Sequence, residues 1–488
     1  MSYLGIDIGT SSVKVGILDR DGTFFTESAP VAGSSEGLGR GELPAEAWWV
    51  AVCIALARLN EMNVLSAVDA VSVIGNTPTL VCLDETGRVK HPAILWSDTR
   101  AEAEARSLLA EYTQKEWNTA YGGFIPVSAA YPSAKLRWIE RHWPDALQGN
   151  AKVIQPKDFV NFRLTGVVAG DRWTTKGIVS LDPQQGARPL ELLGLDPSLA
   201  PDCYNPVDII GHVTSHASQA TGIPEGVAVT AGWSDTLGAV LSVGLEVQDA
   251  FVLSGTSDSV GVITTVPVPS ATTVLCASVW DTGYYIVYGP TSSGMSTIRW
   301  AESALQANLT SSSEAISMRS GRPWFLPFVL GQRSPVWNDN VRGAWINVDV
   351  HTTRQELGDA VMEGVVAAER SVLDAVIEET KITPRRIVLS GGGAKIPRLN
   401  AWRASLFPQP LFEADNEPVL GAALLAQWSA IGGSIQGLPR LRSTIDWRRV
   451  PSEVVQEDRY QGFKKASLML VGNGLGSEGR TIDESISD

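Results

Sequence analysis

Cysteine is scarce in this chain. Four, Cys53, Cys82, Cys203 and Cys276, stand in 488 residues, with no close pair. They make no zinc-ribbon spacing and no disulfide framework, so a reducing, cytoplasmic setting is expected. His142, His212, His216 and His351 share no metal-ligand spacing and read as structural or surface residues. Basic residues are outnumbered, 39 Lys and Arg against 53 Asp and Glu. The net charge of −14 argues against a nucleic-acid partner, which needs a basic face. Any anionic ligand must then be held by local donors rather than by the general field. Long apolar runs are missing too. The nearest, Pro418 to Gly432, falls short of the roughly 18 residues of a membrane span and carries Gln427, so no membrane partner is expected. The first residues already read as a core strand, so no signal peptide is expected. A Walker A loop is absent.

What is present begins with Leu4 to Leu18. Two β-branched, apolar runs flank the small residues Gly9-Thr-Ser-Ser12, which predicts a hairpin between buried strands. Gly9 permits a tight turn, and the N–H groups and hydroxyls around it can nest an anion. Asp7 ends the first strand, placed to hold Mg²⁺ through water, and Lys14 can add a point charge. The pattern recurs: Gly255-Thr-Ser257 again lies between two β-rich runs. One copy near the start and one past the middle mark a duplicated domain, with two phosphate loops across a cleft. The length suits two large domains rather than one core.

Between the loops, Pro44 to Leu59 predicts a helix in which Trp48 and Trp49 read as packing residues. Residues 32–41 read as a mobile loop. Val68 to Gly75 predicts a buried strand that breaks at Gly75-Asn-Thr-Pro-Thr79, and ligands gather at such strand ends in α/β sheets. Trp96, Asp98 and Arg100 fit either a sugar-binding face or an aromatic anchor beside a surface ion pair. Another strand, Gly226 to Ala231, ends in Gly232-Trp-Ser-Asp235. A carboxylate there can take a proton from a hydroxyl attacking ATP, or cap the helix that follows. Further on, Ser292-Ser-Gly-Met295 precedes a helix. Gln355 to Thr380 predicts a long helix, and Arg386 to Ser390 a strand running into Gly391-Gly-Gly-Ala394. Those glycines allow close approach to a flat base or to phosphates. Pro418 to Trp428 predicts a closely packing helix. Past residue 435 the chain reads as irregular, with Gly472 to Asp488 disordered. Gly474 to Gly479 matches Gly-x-Gly-x-x-Gly but lacks the βαβ context that would make it a dinucleotide site.

From residue 3 to about 430 these motifs resemble, in order, those of the FGGY carbohydrate kinases, most closely the xylulokinase-like branch. Asp-Ile-Gly-Thr-Ser-Ser-Val-Lys14 is similar to the first phosphate motif and Ser254-Gly-Thr-Ser257 to the second. Leu389-Ser-Gly-Gly-Gly-Ala394 is similar to the adenosine motif, and Pro132 to His142 and Gly331 to Glu363 to the two family signatures. The resemblance implies an α/β fold of two ribonuclease-H-like (actin-like ATPase) domains with a cleft between them. The expected division is 1–243 and 244–435, with a partly irregular extension at 436–488. It implies a cytoplasmic kinase using ATP and Mg²⁺ on a small sugar, with homodimerisation left open. Asp235 is the implied catalytic base and Asp7 the metal residue. Thr10, Ser11, Ser12, Lys14, Gly255, Thr256, Ser257 and Gly294 would hold phosphates, and Gly392 and Gly393 border the adenosine. Asn76, Thr77, Pro78, Trp96, Asp98, Asp235 and Thr236 would face the sugar.

The chain departs from the pattern in places. Pro78 stands where xylulokinases carry a substrate-binding histidine, Thr236 where they carry asparagine, and Asn347 where the second signature has glycine. D-Xylulose is therefore expected to be a mediocre substrate beside another ketose, a polyol or a sugar acid such as gluconate. The actin-like fold also serves chaperone ATPases and filament proteins, and a sugar-binding protein without turnover is a further alternative.

Overall fold

The opening residues pair as their alternation requires. In the computed structural model, strands β1 (Ser2–Ile8) and β2 (Ser12–Asp19) form an antiparallel hairpin in which Leu4, Ile6 and Ile8 face Ile17, Val15 and Val13. All six are fully buried, under β3 (Phe24–Pro30) at the edge and helix α1 (Glu46–Asn60) across the face. β4 (Val68–Gly75) lies parallel to β1. Helices α2 (Pro132–His142) and α3 (Pro156–Thr165) follow, then β5 (Ile209–His212), β6 (Ala228–Thr230), β7 (Trp233–Ser234) and α4 (Asp235–Ser242). The sheet order is β5-β6-β4-β1-β2-β3, with β7 added beside β4. The structure describes residues 1–33, 41–268, 273–280, 284–311, 321–338, 340–415, 417–432 and 447–472.

The second half repeats the plan. β8 (Asp249–Ser254) and β9 (Asp258–Thr264) make the hairpin, with β10 (Leu275–Trp280) and β11 (Tyr284–Pro290) beyond β9. Helices α5 (Met295–Leu305) and α6 (Arg354–Thr380) precede β12 (Arg386–Ser390), which lies parallel to β8 as β4 lies to β1. Then come α7 (Pro397–Leu406), β13 (Leu411–Ala414), α8 (Pro418–Ala430), β14 (Trp447–Arg449) and α9 (Glu457–Gly472). The sheet order is β10-β11-β9-β8-β12-β13-β14. Among the described residues no helix is long and apolar enough to cross a membrane.

Helix α8 follows the second half in sequence but packs on the first. A Cβ on Gly5 of β1 would lie 2.2 Å from the Val419 carbonyl oxygen, and one on Gly421 would lie 1.9 Å from that of Gly238 in α4. Only glycine allows these backbones to approach so closely, so α8 locks the two halves together through β1 and α4.

The extension beyond residue 435 corrects the expectation of an irregular tail. Residues 447–449 add a strand to the second sheet, and α9 buries Tyr460 and Phe463 in the second core. The amphipathic spacing of these two aromatics was the missed signal. Gly474 to Gly479, residues 34–40 of the predicted loop and the tail from 473 lie outside the described residues.

Candidate active site

Asp235 is delivered by a turn that the surrounding core dictates. The Ala231 carbonyl accepts hydrogen bonds from Lys157 Nζ (2.9 Å) and Asn161 Nδ2 (2.9 Å). Lys157 is fully buried between Asp158 (2.5 Å) and Asp171 (3.0 Å). Next, Gly232 adopts φ +74°, where any Cβ would lie 1.8 Å from the Val73 carbonyl oxygen. The chain then runs alongside the end of β4 and enters α4. Asp235 is the first residue of the helix, while Ser234 occupies the capping position without making a cap hydrogen bond. Oδ1 of Asp235 accepts from the Thr236 N–H at 2.6 Å. Burial raises its pKa, against the Thr236 hydrogen bonds and the charge of Lys176.

Asp7 lies close enough for the two carboxylates to feel each other. Its pKa is pushed up to about 7, chiefly by burial, then by the charge of Asp235; Lys14 opposes this and Glu417 adds to it. Oδ1 of Asp7 is buried and has no hydrogen-bond partner among the described residues. Lys14 Nζ is drawn to Glu417 instead, at 2.6 Å. The turn after Asp7 closes by a Gly9 N–H to Ser12 carbonyl bond (3.0 Å) and rests on Trp48, whose indole N–H donates to the Gly9 carbonyl (3.0 Å). Thr10 Oγ1 accepts from the Trp96 indole (3.2 Å), while Ser11 and Ser12 are exposed. An unpartnered buried carboxylate oxygen among acidic neighbours suits a divalent cation. No cluster of three or more His, Cys, Asp or Glu closes on one point among the described residues. A Mg²⁺ ion would thus take one carboxylate, directly or through water, with phosphates and water supplying the rest.

The second turn is built differently. The Gly255 N–H donates to Asp258 Oδ1 (3.0 Å), and the Gly255 and Thr256 carbonyls accept from the N–H groups of Met295 and Ser296 (3.0 Å each). Gly294 fits only without a side chain, since a Cβ would lie 2.9 Å from both Ser257 Cα and Asp258 Oδ1. Ser254 Oγ accepts from Arg403 (2.7 Å), which pairs with Glu369 in a fully buried fork (2.6 and 3.0 Å) and reaches the Gly393 carbonyl at 3.3 Å. Asp258 has its pKa raised by burial and by the neighbouring Glu369. Gly393 is closed against Ser254 Oγ, 2.1 Å from where its Cβ would be, whereas Gly392 faces open space.

In the loop expected to face the sugar, the Asn76 amide donates to the Ile8 carbonyl (2.9 Å) and accepts from Thr79 (2.6 Å), so it fastens the loop to β1. Thr77 Oγ1 donates to the Thr174 carbonyl (3.1 Å), and the Pro78 carbonyl accepts from Lys135 (3.1 Å). Asp98 is buried and forked with Arg100, whose side chain is 8% exposed, so that ion pair is an interior one rather than a surface pair. Trp96, 40% exposed, keeps its face open. Lys135 has its pKa pushed down to about 7 by burial. Sequence reading missed Lys176, Trp173 and Tyr288. Tyr288 packs edge-on to Trp173 (centroids 6.1 Å apart) and feels the charge of Asp235. The available signal was a lysine set among Trp173, Thr174 and Thr175 just after the buried Asp171. Asn347, where the family signature has glycine, adopts φ +64°, a left-handed conformation that asparagine tolerates.

The family model for the N-terminal domain of the FGGY family of carbohydrate kinases matches residues 2–242, and that for its C-terminal domain matches residues 250–430. A xylulose kinase of Escherichia coli (strain K12) is 30% identical over 453 residues, covering 88% of this chain and 90% of that protein. Among solved structures, a xylulose kinase from Rhodospirillum rubrum superposes with a TM-score of 0.84 at 25% identity, covering 96% of this chain and 99% of that one. A gluconate kinase from Lactobacillus acidophilus shares the fold with a TM-score of 0.85 at 21% identity, covering 98% of each chain.

Proposed function

This chain belongs to the FGGY family of carbohydrate kinases, and we propose that it phosphorylates a primary hydroxyl of an open-chain sugar related to D-xylulose, with Asp235 as general base. The observation that carries this reading is that Asp235 and Asp7, both buried, feel each other's charge, with Asp7 on the strand that leads into the first Gly-Thr-Ser turn. Raised pKa values make a carboxylate a better proton acceptor at neutral pH. Asp235 takes the proton from the hydroxyl as its oxygen attacks the γ-phosphorus of ATP, while the turns hold the phosphates with backbone N–H groups and hydroxyls. Gly392 borders the nucleotide base. Asp7 would hold Mg²⁺, which when bound neutralises charge on the phosphates. The reaction is mostly positioning, so closure of the cleft against water matters. Four unpaired thiols support a cytoplasmic setting.

The loop at Pro78 bears on the sugar. Proline offers no side-chain polar group and no N–H, and its carbonyl is already engaged by Lys135. An unpaired buried hydroxyl costs roughly 1–3 kcal/mol, so D-xylulose should be outperformed by a related substrate. The test is sugar-stimulated ADP release over a panel of ketoses, polyols and sugar acids. Asp235→Ala should lower turnover about 10²–10⁴-fold with little change in MgATP affinity. Near-normal turnover in that variant, or D-xylulose as clearly the best substrate, would refute the corresponding part of the reading.

A further inference from the structure

Lys176 is 3% exposed, yet its ammonium has a single hydrogen-bond acceptor among the described residues, the Trp173 carbonyl at 3.1 Å. The charge also sits over the Trp173 ring, 4.7 Å from its centroid. An ammonium carries three N–H donors. The neighbouring carboxylates do not supply the missing acceptors. Asp171 pairs with Lys157 (3.0 Å) and accepts from the Thr174 N–H (3.0 Å); its charge reaches Lys176, but among the described residues no ion pair joins the two. Asp235 is near enough to feel the charge of Lys176, but no ion pair joins them. Lys157, a short way along the same wall, shows the contrast: that buried lysine has two carboxylates and a carbonyl.

Lys176 lies beside the loop expected to face the sugar. Thr77 of the sugar loop donates to the Thr174 carbonyl, two residues before Lys176. The buried hydroxyls Thr174 Oγ1 and Ser234 Oγ, one beside Lys176 and the other beside Asp235, also lack partners among the described residues. A buried cation with no carboxylate in direct contact is costly, and the cost falls when a ligand brings the opposite charge against it. A neutral polyol brings only hydroxyls. A carboxylate brings one negative charge and acceptors for the remaining donors, and a single ammonium matches it better than a doubly charged phosphate.

Resting on the reading of this site as a sugar kinase's, we propose that the substrate is a sugar acid, an open-chain aldonate whose carboxylate pairs with Lys176 while its far primary hydroxyl faces Asp235. The transferred phosphoryl group leaves ADP and takes up the hydroxyl oxygen; the carboxylate is unchanged.

The experiment measures kcat/KM for pentonates and hexonates against the alditols of the same configuration, and against ketoses, in the wild type and in Lys176→Met and Lys176→Arg. A charge-assisted contact predicts an acid-to-alditol ratio of about 10 to 100 in the wild type. Lys176→Met should bring that ratio close to one, mainly through KM for the acid, and Lys176→Arg should retain part of it. If Lys176 serves only to keep Asp235 ionised, Lys176→Met will lower kcat for every acceptor alike and leave the ratio unchanged, which overturns the inference. Release of ADP with neutral ketoses but with no acid overturns it too, yet leaves the kinase reading standing. No release with any acceptor, while MgATP still binds, overturns both. The wild-type ratio decides the question even if a variant fails to fold.

Discussion

The two Gly-Thr-Ser hairpins share a topology and divide their chemistry. In the first, the carboxylate precedes the turn: Asp7 has a buried oxygen without a hydrogen-bond partner among the described residues, and the Trp48 indole N–H donates to the Gly9 carbonyl. In the second, the carboxylate follows the turn: Asp258 bends back to hold the Gly255 N–H and sits in a buried network with Glu369, Arg403 and Ser254. One hairpin leaves its acid with an unpartnered oxygen, and the other uses its acid to hold its own turn. Duplication of a fold therefore copies the hairpin and its turn residues, while the partners of its N–H groups and the roles of its side chains are free to diverge.

The largest expected effect sets Asp7 against Asp258. Asp7→Ala should slow turnover about 10²–10³-fold with the fold intact, as loss of one electrostatic contact to the reacting groups does. Asp258→Ala should instead lower the unfolding midpoint and weaken ATP binding together. Turnover falling without loss of stability in Asp258→Ala would erase the distinction. A smaller effect compares the supports beneath each turn. Arg403→Met leaves Glu369 buried without its partner and should cost about 3–5 kcal/mol in denaturant unfolding. Trp48→Phe removes one hydrogen bond to Gly9 and should cost about 0.5–1.5 kcal/mol. Equal losses would mean that the two turns are held alike.

A pH dependence isolates Asp7 itself. Asp7 is raised from 3.8 to about 7 in the fold. Below about pH 4 it is protonated both folded and unfolded, so it contributes no pH-dependent difference. As pH rises from about 4 toward 7, the unfolded chain ionises first, and the folded state loses relative stability. Asp7→Asn removes this term. Its unfolding free energy relative to wild type should rise between pH 4.5 and 8 in the ligand-free protein, approaching a plateau above about 7. A flat difference across that range would place Asp7 in water rather than among Asp235, Glu417 and Lys14.

Much of this is legible in the sequence. The hairpin at Leu4 to Leu18 is a buried strand pair because its apolar residues alternate onto one face, and the Gly-Thr-Ser repeat announced the second sheet. Asp235 stood out because a carboxylate after a buried strand is unusual. Lys176 did not stand out, because a lone lysine in sequence carries no sign of burial. Its position became informative only when Asp171 was found paired with Lys157. Nor did Gly5, Gly238 and Gly421 reveal themselves as close approaches on one helix, since they lie far apart in the chain. The tail from 447 to 472 was misread because its aromatics point into a core that its own sequence does not contain.

The sequence by itself determined the elements, the duplicated plan and the type of chemistry. Those follow from local periodicity, from turn residues and from the few groups able to hold phosphate. Tertiary structure alone decided which acid is buried beside Asp235, which lysine lacks a direct ion pair, and that α8 belongs spatially to the first sheet. The physical reason is that burial and charge pairing are properties of neighbours brought together from distant positions, and a carboxylate or an ammonium takes its role from those neighbours.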